Sequence, residues 1–475
     1  MRSGTQSKSW ALRFKSKEVH FHGGSFCLPV KGASYGNQGK ERYRNMREIP
    51  WGILWIVLWC ALRPPAADAG ELPLDRFGRL VTIEEAIDRT VESDAAVRRA
   101  LVRLQGEKAK LDLKQAQFFP EVKGDTFAGF ASGESGRLAF LNVRIEQPLF
   151  EGGRRLYEKR KQAVRLQMSE SELAITKLNL ALEVRLIYSK LLHEKEMVRL
   201  IQDVRNQVSV SYEKAKTLFD QALITRAQLI EAEVLNEKTK QALLLHKEKQ
   251  DYLQEVLSRA LGMGPGEALE LEPLGELPRL HEAIDDYLRG AHDDPAYRLQ
   301  DLRVREKELE KKALGAKRWP SLMLTGGWEV NRDVYVDFNR AVIGLKGSWN
   351  IWDFGRLHAQ MKAAESEIEE AKWQRIIQAR EKEKRVRELF HEARIARGDI
   401  ALREKFLESR SEDYKNLKTK QIAGETDEKD ALSGFLDLES AREAMLEAVT
   451  QFRVLAAKLE RESALLGVEM RGEIQ

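Results

Sequence analysis

The stretch QPLFEGGRR, Gln147 to Arg155, leaves an apolar, strand-like run, passes two glycines and enters a charged run. About 202 positions later the chain repeats the figure as SWNIWDFGRL, Ser348 to Leu357. A residue without Cβ adopts the backbone angles of a sharp corner at little cost. Gly152, Gly153 and Gly355 therefore mark two strand-to-helix corners, each followed at once by arginine (Arg154, Arg155, Arg356).

The echo spreads outward from the corners. EEAIDRT (Glu84 to Thr90) matches HEAIDDY (His281 to Tyr287), and AQFFPEV (Ala116 to Val122) matches AKRWPSL (Ala316 to Leu322). Tyr212 and Tyr414 begin matching segments, and ALITRAQLIEAE (Ala222 to Glu233) falls at the offset of GETDEKDALSGF (Gly424 to Phe435). The mature chain is expected to be a tandem duplication, with a first repeat at 70–264, a linker at 265–279, a second repeat at 280–468 and a tail at 469–475. GMGPGEALELEPLGELP, Gly262 to Pro278, has the Gly/Pro punctuation of a connector.

Each repeat reads helix, strand, strand, long helix, helix. The first long helix starts after Gly153, with an apolar heptad through Leu166, Leu173, Leu180, Ile187, Ile201 and Val208, broken by Glu194. The second starts after Gly355, and Ala379, Val386, Ala393, Ile400, Leu407 and Tyr414 keep the same step. A seven-residue repeat this long predicts left-handed coiled-coil packing. At 1.5 Å per residue the first long helix spans roughly 100 Å. The return helix from Thr225 and the helix before the strands supply roughly 55 and 35 Å, so stacked end to end they nearly match it.

Four segments alternate with period two. In LNVRIEQ, Leu141, Val143 and Ile145 oppose Asn142, Arg144 and Glu146. In EVKGDTFAGF, Val122, Thr126, Ala128 and Phe130 oppose Glu121, Lys123 and Asp125. In SLMLTGGWEV and VIGLKGSWNIW, Leu322, Leu324, Trp328 and Val330, then Ile343, Leu345, Trp349 and Ile351, form the apolar sets. Each run is about 10–12 residues, the length of a transmembrane strand. Four strands cannot close a barrel, and open edges cannot exist in lipid, so several chains are expected to share one wall.

The chain has 475 residues, 32% of them charged, and a formal net charge of +4. The first 69 residues hold 11 basic and 4 acidic side chains, leaving 68 and 71 and a net charge of −3 in the remainder. No basic field for nucleic acid remains. Residues 46–69 have the order of a signal peptide: Arg47, the apolar run Ile49 to Leu62, then Ala67-Asp68-Ala69 as a small-x-small cleavage site. Residues 1–45 read as a non-native or disordered extension ahead of a start at Met46. Cys27 and Cys60 both precede the cut, so no disulfide or thiolate site is expected in the mature chain. Bulky Trp59 before Cys60 argues against lipidation.

QPLFEGGRR, its partner IWDFGR, the duplication and the element order behind a signal peptide resemble the TolC family of outer-membrane efflux proteins, over about residues 78–468. The resemblance implies a mainly α protein with a small β part: a trimer whose twelve-stranded β-barrel, four strands per chain, crosses the outer membrane and continues as a long α-helical barrel in the periplasm. It implies a passive exit duct, partnered by a periplasmic adaptor and an inner-membrane pump of RND or ABC type, with outer-membrane lipid around the barrel and no cofactor. Helix–turn–helix tips would form the entrance and dock the adaptor, which singles out Ala222, Thr225, Gly424 and Asp427. The family's tip glycine and the acid six residues on are matched by Gly424 and Asp430. Ser433 departs from the second acid position; in the first repeat Ala222, Gln228 and Glu231 stand at the three places. Asp430, then Glu231, are the periplasmic gate candidates, with Gln228 and Ser433 beside them. A type I protein-secretion duct is the alternative within this class, and a periplasmic coiled-coil scaffold without a pore the alternative outside it.

Catalytic chemistry is not expected. His193, His281 and His391 each precede Glu, but Met197, Asp285 and Ile395 stand where a zinc-binding helix needs its second His. GASYGNQGKE at Gly32 has the wrong spacing for a phosphate loop, and GMGPG at Gly262 follows a helix rather than a strand.

Overall fold

Prolines and glycines place the helix ends. In the computed structural model, residues 81–131, 136–264, 269–332 and 337–464 are described. The signal peptide, the 1–45 extension, the 469–475 tail and both cysteines lie outside them. The first repeat holds α1 (Ile83–Ser93), α2 (Ala95–Ala116), β1 (Glu121–Ala131), β2 (Gly136–Phe150), α3 (Arg154–Asp220) and α4 (Arg226–Ala260). The second holds α5 (Ile284–His292), α6 (Pro295–Gly315), β3 (Ser321–Arg332), β4 (Asp337–Ser348), α7 (Arg356–Ile422) and α8 (Glu428–Glu462). The short helices α1 and α5, absent from the expected order, head each repeat; Asp94 and Asp294 follow them and cap the next helix, accepting from Ala96 N and Ala296 N.

Both long helices have 67 residues. In each repeat two shorter helices stack end to end beside the long one. At the first junction Ser93 Oγ donates to the Ala260 carbonyl at 2.9 Å. At the second, Arg461 Nη1 donates to Asp294 Oδ2 at 2.8 Å. The expected length match is thus realised as a column two helices thick.

Of the expected α7 heptad, Val386, Ala393 and Ile400 are buried, and Ala379, Leu407 and Tyr414 are half-buried. That of α3 needs correction. Ile201 and Val208 are buried as expected, but Leu166, Leu173, Leu180 and Ile187 are only half-buried, and there Val164, Ser171, Leu178, Ala181, Val184, Tyr188 and Leu191 carry the core. The helix touches α2 and α4 on one side and α6 and α8 on the other. Near its middle the Tyr188 hydroxyl lies 2.7 Å from the Glu272 carbonyl and 2.9 Å from that of Val81, tying the connector to the core. Burial pushes this phenol up to about 12.

The sheet has the order β1-β2-β3-β4, antiparallel throughout, so β2 and β3 join the two repeats. β4 ends at Ser348, so Trp349 and Ile351 of the expected strand lie beyond it.

A buried charge cluster fastens the second junction. Asp294 is fully buried and meets both Lys382 of α7 and Arg461 of α8. Arg461 Nη2 also donates to Asn179 Oδ1 of α3 at 2.8 Å, so four helices from both repeats meet here. Burial pulls the Lys382 ammonium down, and Asp294 opposes that shift.

Candidate functional site

The sheet sorts its side chains by face. Val122 opposes Ile145, Val143 opposes Trp328, and Leu324 opposes Leu345. Among the described residues no helix covers this face: Val122 is 65% exposed, Leu345 69% and Ile343 81%. The other face is charged and pairs within itself. Lys123 lies 3.0 Å from Glu146, Arg144 3.7 Å from Glu146, and Arg340 2.9 Å from Glu329. Lipid suits the first face and water the second. β1 and β4 pair on one side only, and in lipid each unpaired backbone group costs several kcal/mol. The sheet alone is a fragment of a wall.

The corners use left-handed backbone. Gly152, Gly153 and Gly355 have φ of +61°, +84° and +82°. At Gly152 space is also closed, because a Cβ there would meet Ala316 O at 2.6 Å and Trp319 Cβ at 2.7 Å. The first corner thus packs on the entry to β3. Burial alone would raise the Glu151 carboxyl, but Arg155 and Arg154, at 3.0 and 2.9 Å, hold it below the usual carboxylate range. Asp353, the counterpart of Glu151, is one methylene shorter and accepts instead from Gly355 N and Leu357 N at the head of α7.

Sequence reasoning missed a rule that the duplication imposes. Among the described residues three non-glycine positions have positive φ: Phe354 (+53°), Ala222 (+58°) and Ala464 (+56°). Each is the repeat partner of a left-handed glycine, respectively Gly152, Gly424 and Gly262. The backbone bend survived where the glycine did not. The offset between Ala222 and Gly424 carried the signal, but only for a reader who trusted geometry over residue type.

At the far end of the long helices lie the two tips. Thr225 caps α4 through a reciprocal pair, Gln228 N to Thr225 Oγ1 at 3.3 Å and Thr225 N to Gln228 Oε1 at 2.8 Å. Gln228, expected at an acid position of the gate, also completes a capping box. Asp427 opens α8 without a side-chain cap. The tips are joined by Lys214–Glu428 at 2.7 Å and Lys429–Glu231 at 3.6 Å. Gln228, Glu231, Asp427 and Ser433 line the cleft between them, about 630 Å³ in volume, with Tyr212, Leu218 and Leu436 among its apolar walls. Ala222, Thr225, Gly424 and Asp430 stay outside that lining. Asp430 is exposed on the first turn of α8 and makes no ion pair among the described residues.

Among the described residues no cluster of His, Cys, Asp and Glu could hold a metal ion, and no helix is long and apolar enough to cross a membrane. Residues 86–263 match the family described as outer membrane efflux protein. The match spans most of the first repeat. Solved structures agree over both repeats. The CmeC outer-membrane channel of Campylobacter jejuni superposes with a TM-score of 0.71 at 13% identity, covering 85% of this chain and 94% of its own. VceC of Vibrio cholerae gives 0.69 at 14%, covering 80% and 95%. The open state of the MtrE channel of Neisseria gonorrhoeae gives 0.67 at 16%, covering 80% and 88%. A search of curated proteins found no match. At these identities the likeness is one of fold, long helices running beside a small antiparallel sheet.

Proposed function

We propose that three copies of this chain form a passive exit duct, the outer-membrane component of a tripartite efflux system. The open edges of the four-stranded sheet carry this reading, because three such sheets joined β4 to β1 make the expected twelve-stranded barrel. The helices point the same way. α3 is flanked by helices of both repeats, whereas the main contacts of α7 among the described residues are with α5, α6 and α8 of its own repeat. Along α7, Trp373, Ile395, Leu402 and Phe406 are exposed, and so are Val102 and Leu113 of α2 and Leu244 and Tyr252 of α4. Repeating the α3 environment at α7 needs α2 and α4 of a neighbouring copy, and these apolar residues are then covered.

The periplasmic tips form the entrance and dock an adaptor, which couples the duct to an inner-membrane pump of RND or ABC type. Asp430, exposed and unpaired in a single chain, faces its two copies around the axis. Three carboxylates there repel one another and attract cations. Glu231 is held differently, by Lys429. The test is planar-bilayer recording of the purified protein. Wild type should conduct, and Asp430→Ala should raise the single-channel conductance. Equal conductance would remove Asp430 from the gate, and no channels at all would remove the pore.

A further inference from the structure

The strand register places an aromatic row on the charged face of the sheet. Phe127 of β1 opposes Phe140 of β2, Phe140 opposes Asn331 of β3, and Asn331 opposes Phe338 of β4. Three of the four residues in one cross-strand row are phenylalanine. All lie on the face of Asp125, Asn142, Arg144, Glu329 and Arg340, not on the face of Ile145 and Trp328. Phe127 and Phe140 stack with centroids 5.7 Å apart and planes 20° from parallel, and they remain 49% and 44% exposed. Cross-strand pairing alone would be served as well on the lipid-facing side, where an exposed ring has no water to avoid.

The row already holds a planar cation. The Arg340 guanidinium lies 4.5 Å from the centroid of the Phe338 ring, while its Nη2 contacts Glu329 at 2.9 Å. A guanidinium over a ring with a carboxylate at its edge is the arrangement a flat cationic aromatic would adopt. Asp125, two residues from Phe127 on the same face, supplies a carboxylate beside the stacked pair, and its contact with Arg144 is long, at 3.9 Å.

Size decides between a plug and a contact surface. Twelve strands spaced about 4.8 Å apart and tilted about 40° enclose a backbone bore about 24 Å wide. Rings projecting inward from such a wall leave roughly half of it open, too wide to stop ions by dewetting. We infer that Phe127, Phe140 and Phe338, repeated in each subunit, form an aromatic cuff in the barrel lumen that transiently binds planar aromatic cations. The inference rests on the trimeric barrel proposed above and adds a solute class to it.

The probe is ethidium, applied to the full-length trimer in planar bilayers. Ethidium should produce discrete blockades, and tetramethylammonium at the same concentration should not. Replacing all three phenylalanines by alanine should shorten the blockades about tenfold or more, while the tyrosine triple variant should retain them. Channels that open normally but show the same ethidium blockades in wild type and the alanine variant would overturn the cuff alone. So would channels that ethidium never blocks. A preparation forming no channels would overturn the barrel itself, and the cuff with it.

Discussion

Asp94 and Asp294 occupy the same place in the two repeats, and the difference between them sets up a decisive substitution. Both open a helix, α2 and α6, and both accept backbone N–H groups. Asp94 does only that, whereas Asp294 also neutralises Lys382 and Arg461, whose side chains are 10% and 8% exposed. Asparagine caps helices about as well as aspartate, so Asp94→Asn should change stability by less than about 0.5 kcal/mol. Asp294→Asn keeps the cap but leaves two buried cations without their anion, a loss of about 3–5 kcal/mol. Guanidinium unfolding followed by helical circular dichroism, at fixed subunit concentration, reads both variants against wild type. The pH dependence adds a second handle. With its anion gone, Lys382 should have a folded-state pKa still further below its unfolded value. The penalty should then be full near neutrality and shrink as pH rises towards the unfolded lysine value of about 10.4, because the folded state sheds the proton first. If the two variants unfold within about 0.5 kcal/mol of each other, the cluster is not the junction described here.

Ala222 sits in left-handed backbone, which costs a residue with a Cβ about 1–2 kcal/mol, partly offset by the roughly 0.4–1 kcal/mol of extra unfolded freedom glycine brings. Ala222→Gly should therefore stabilise the first tip by about 0.5–1 kcal/mol, seen as slower amide exchange around Leu223; faster exchange there would contradict the pairing with Gly424. Glu439 is buried on α8, and burial raises its carboxyl despite Arg442 at 2.7 Å. Its folded pKa lies above its unfolded one, so its stability contribution is full below about pH 4.3 and is lost as pH rises through the folded value. Glu439→Gln should melt higher than wild type at pH 7.5, with the gap closing towards pH 4; a gap constant with pH would show that the charge is not at issue.

Much of the architecture was readable because its causes are local or periodic. The glycine corners, the absence of proline from Arg154 to Asp220 and the stepped apolar residues of α7 each act within a turn or a heptad. The α3 heptad held at Ile201 and Val208 but not from Leu166 to Ile187, because that helix packs against helices of both repeats and a single seven-residue stripe cannot describe its burial. Gln228 stands three residues after Thr225, so its capping role was legible from spacing beside its expected place at the gate. The aromatic row and the Asp294 cluster join residues from distant segments, so neither leaves a mark before strand register and helix junctions are known.

The central claim is that one chain is a third of a ring, and the corners offer a direct measurement. Gly152 packs against Trp319 inside a chain, whereas its counterpart Phe354 is 91% exposed and Phe119, the counterpart of Trp319, is 69% exposed. In the proposed ring these two are expected to meet across subunits. The Phe119→Cys, Phe354→Cys double variant, oxidised in outer membranes and run without reductant, should give covalent dimers and trimers, the trimer as the end point. Monomer alone under the same oxidation, with each single-cysteine variant behaving alike, would contradict the account.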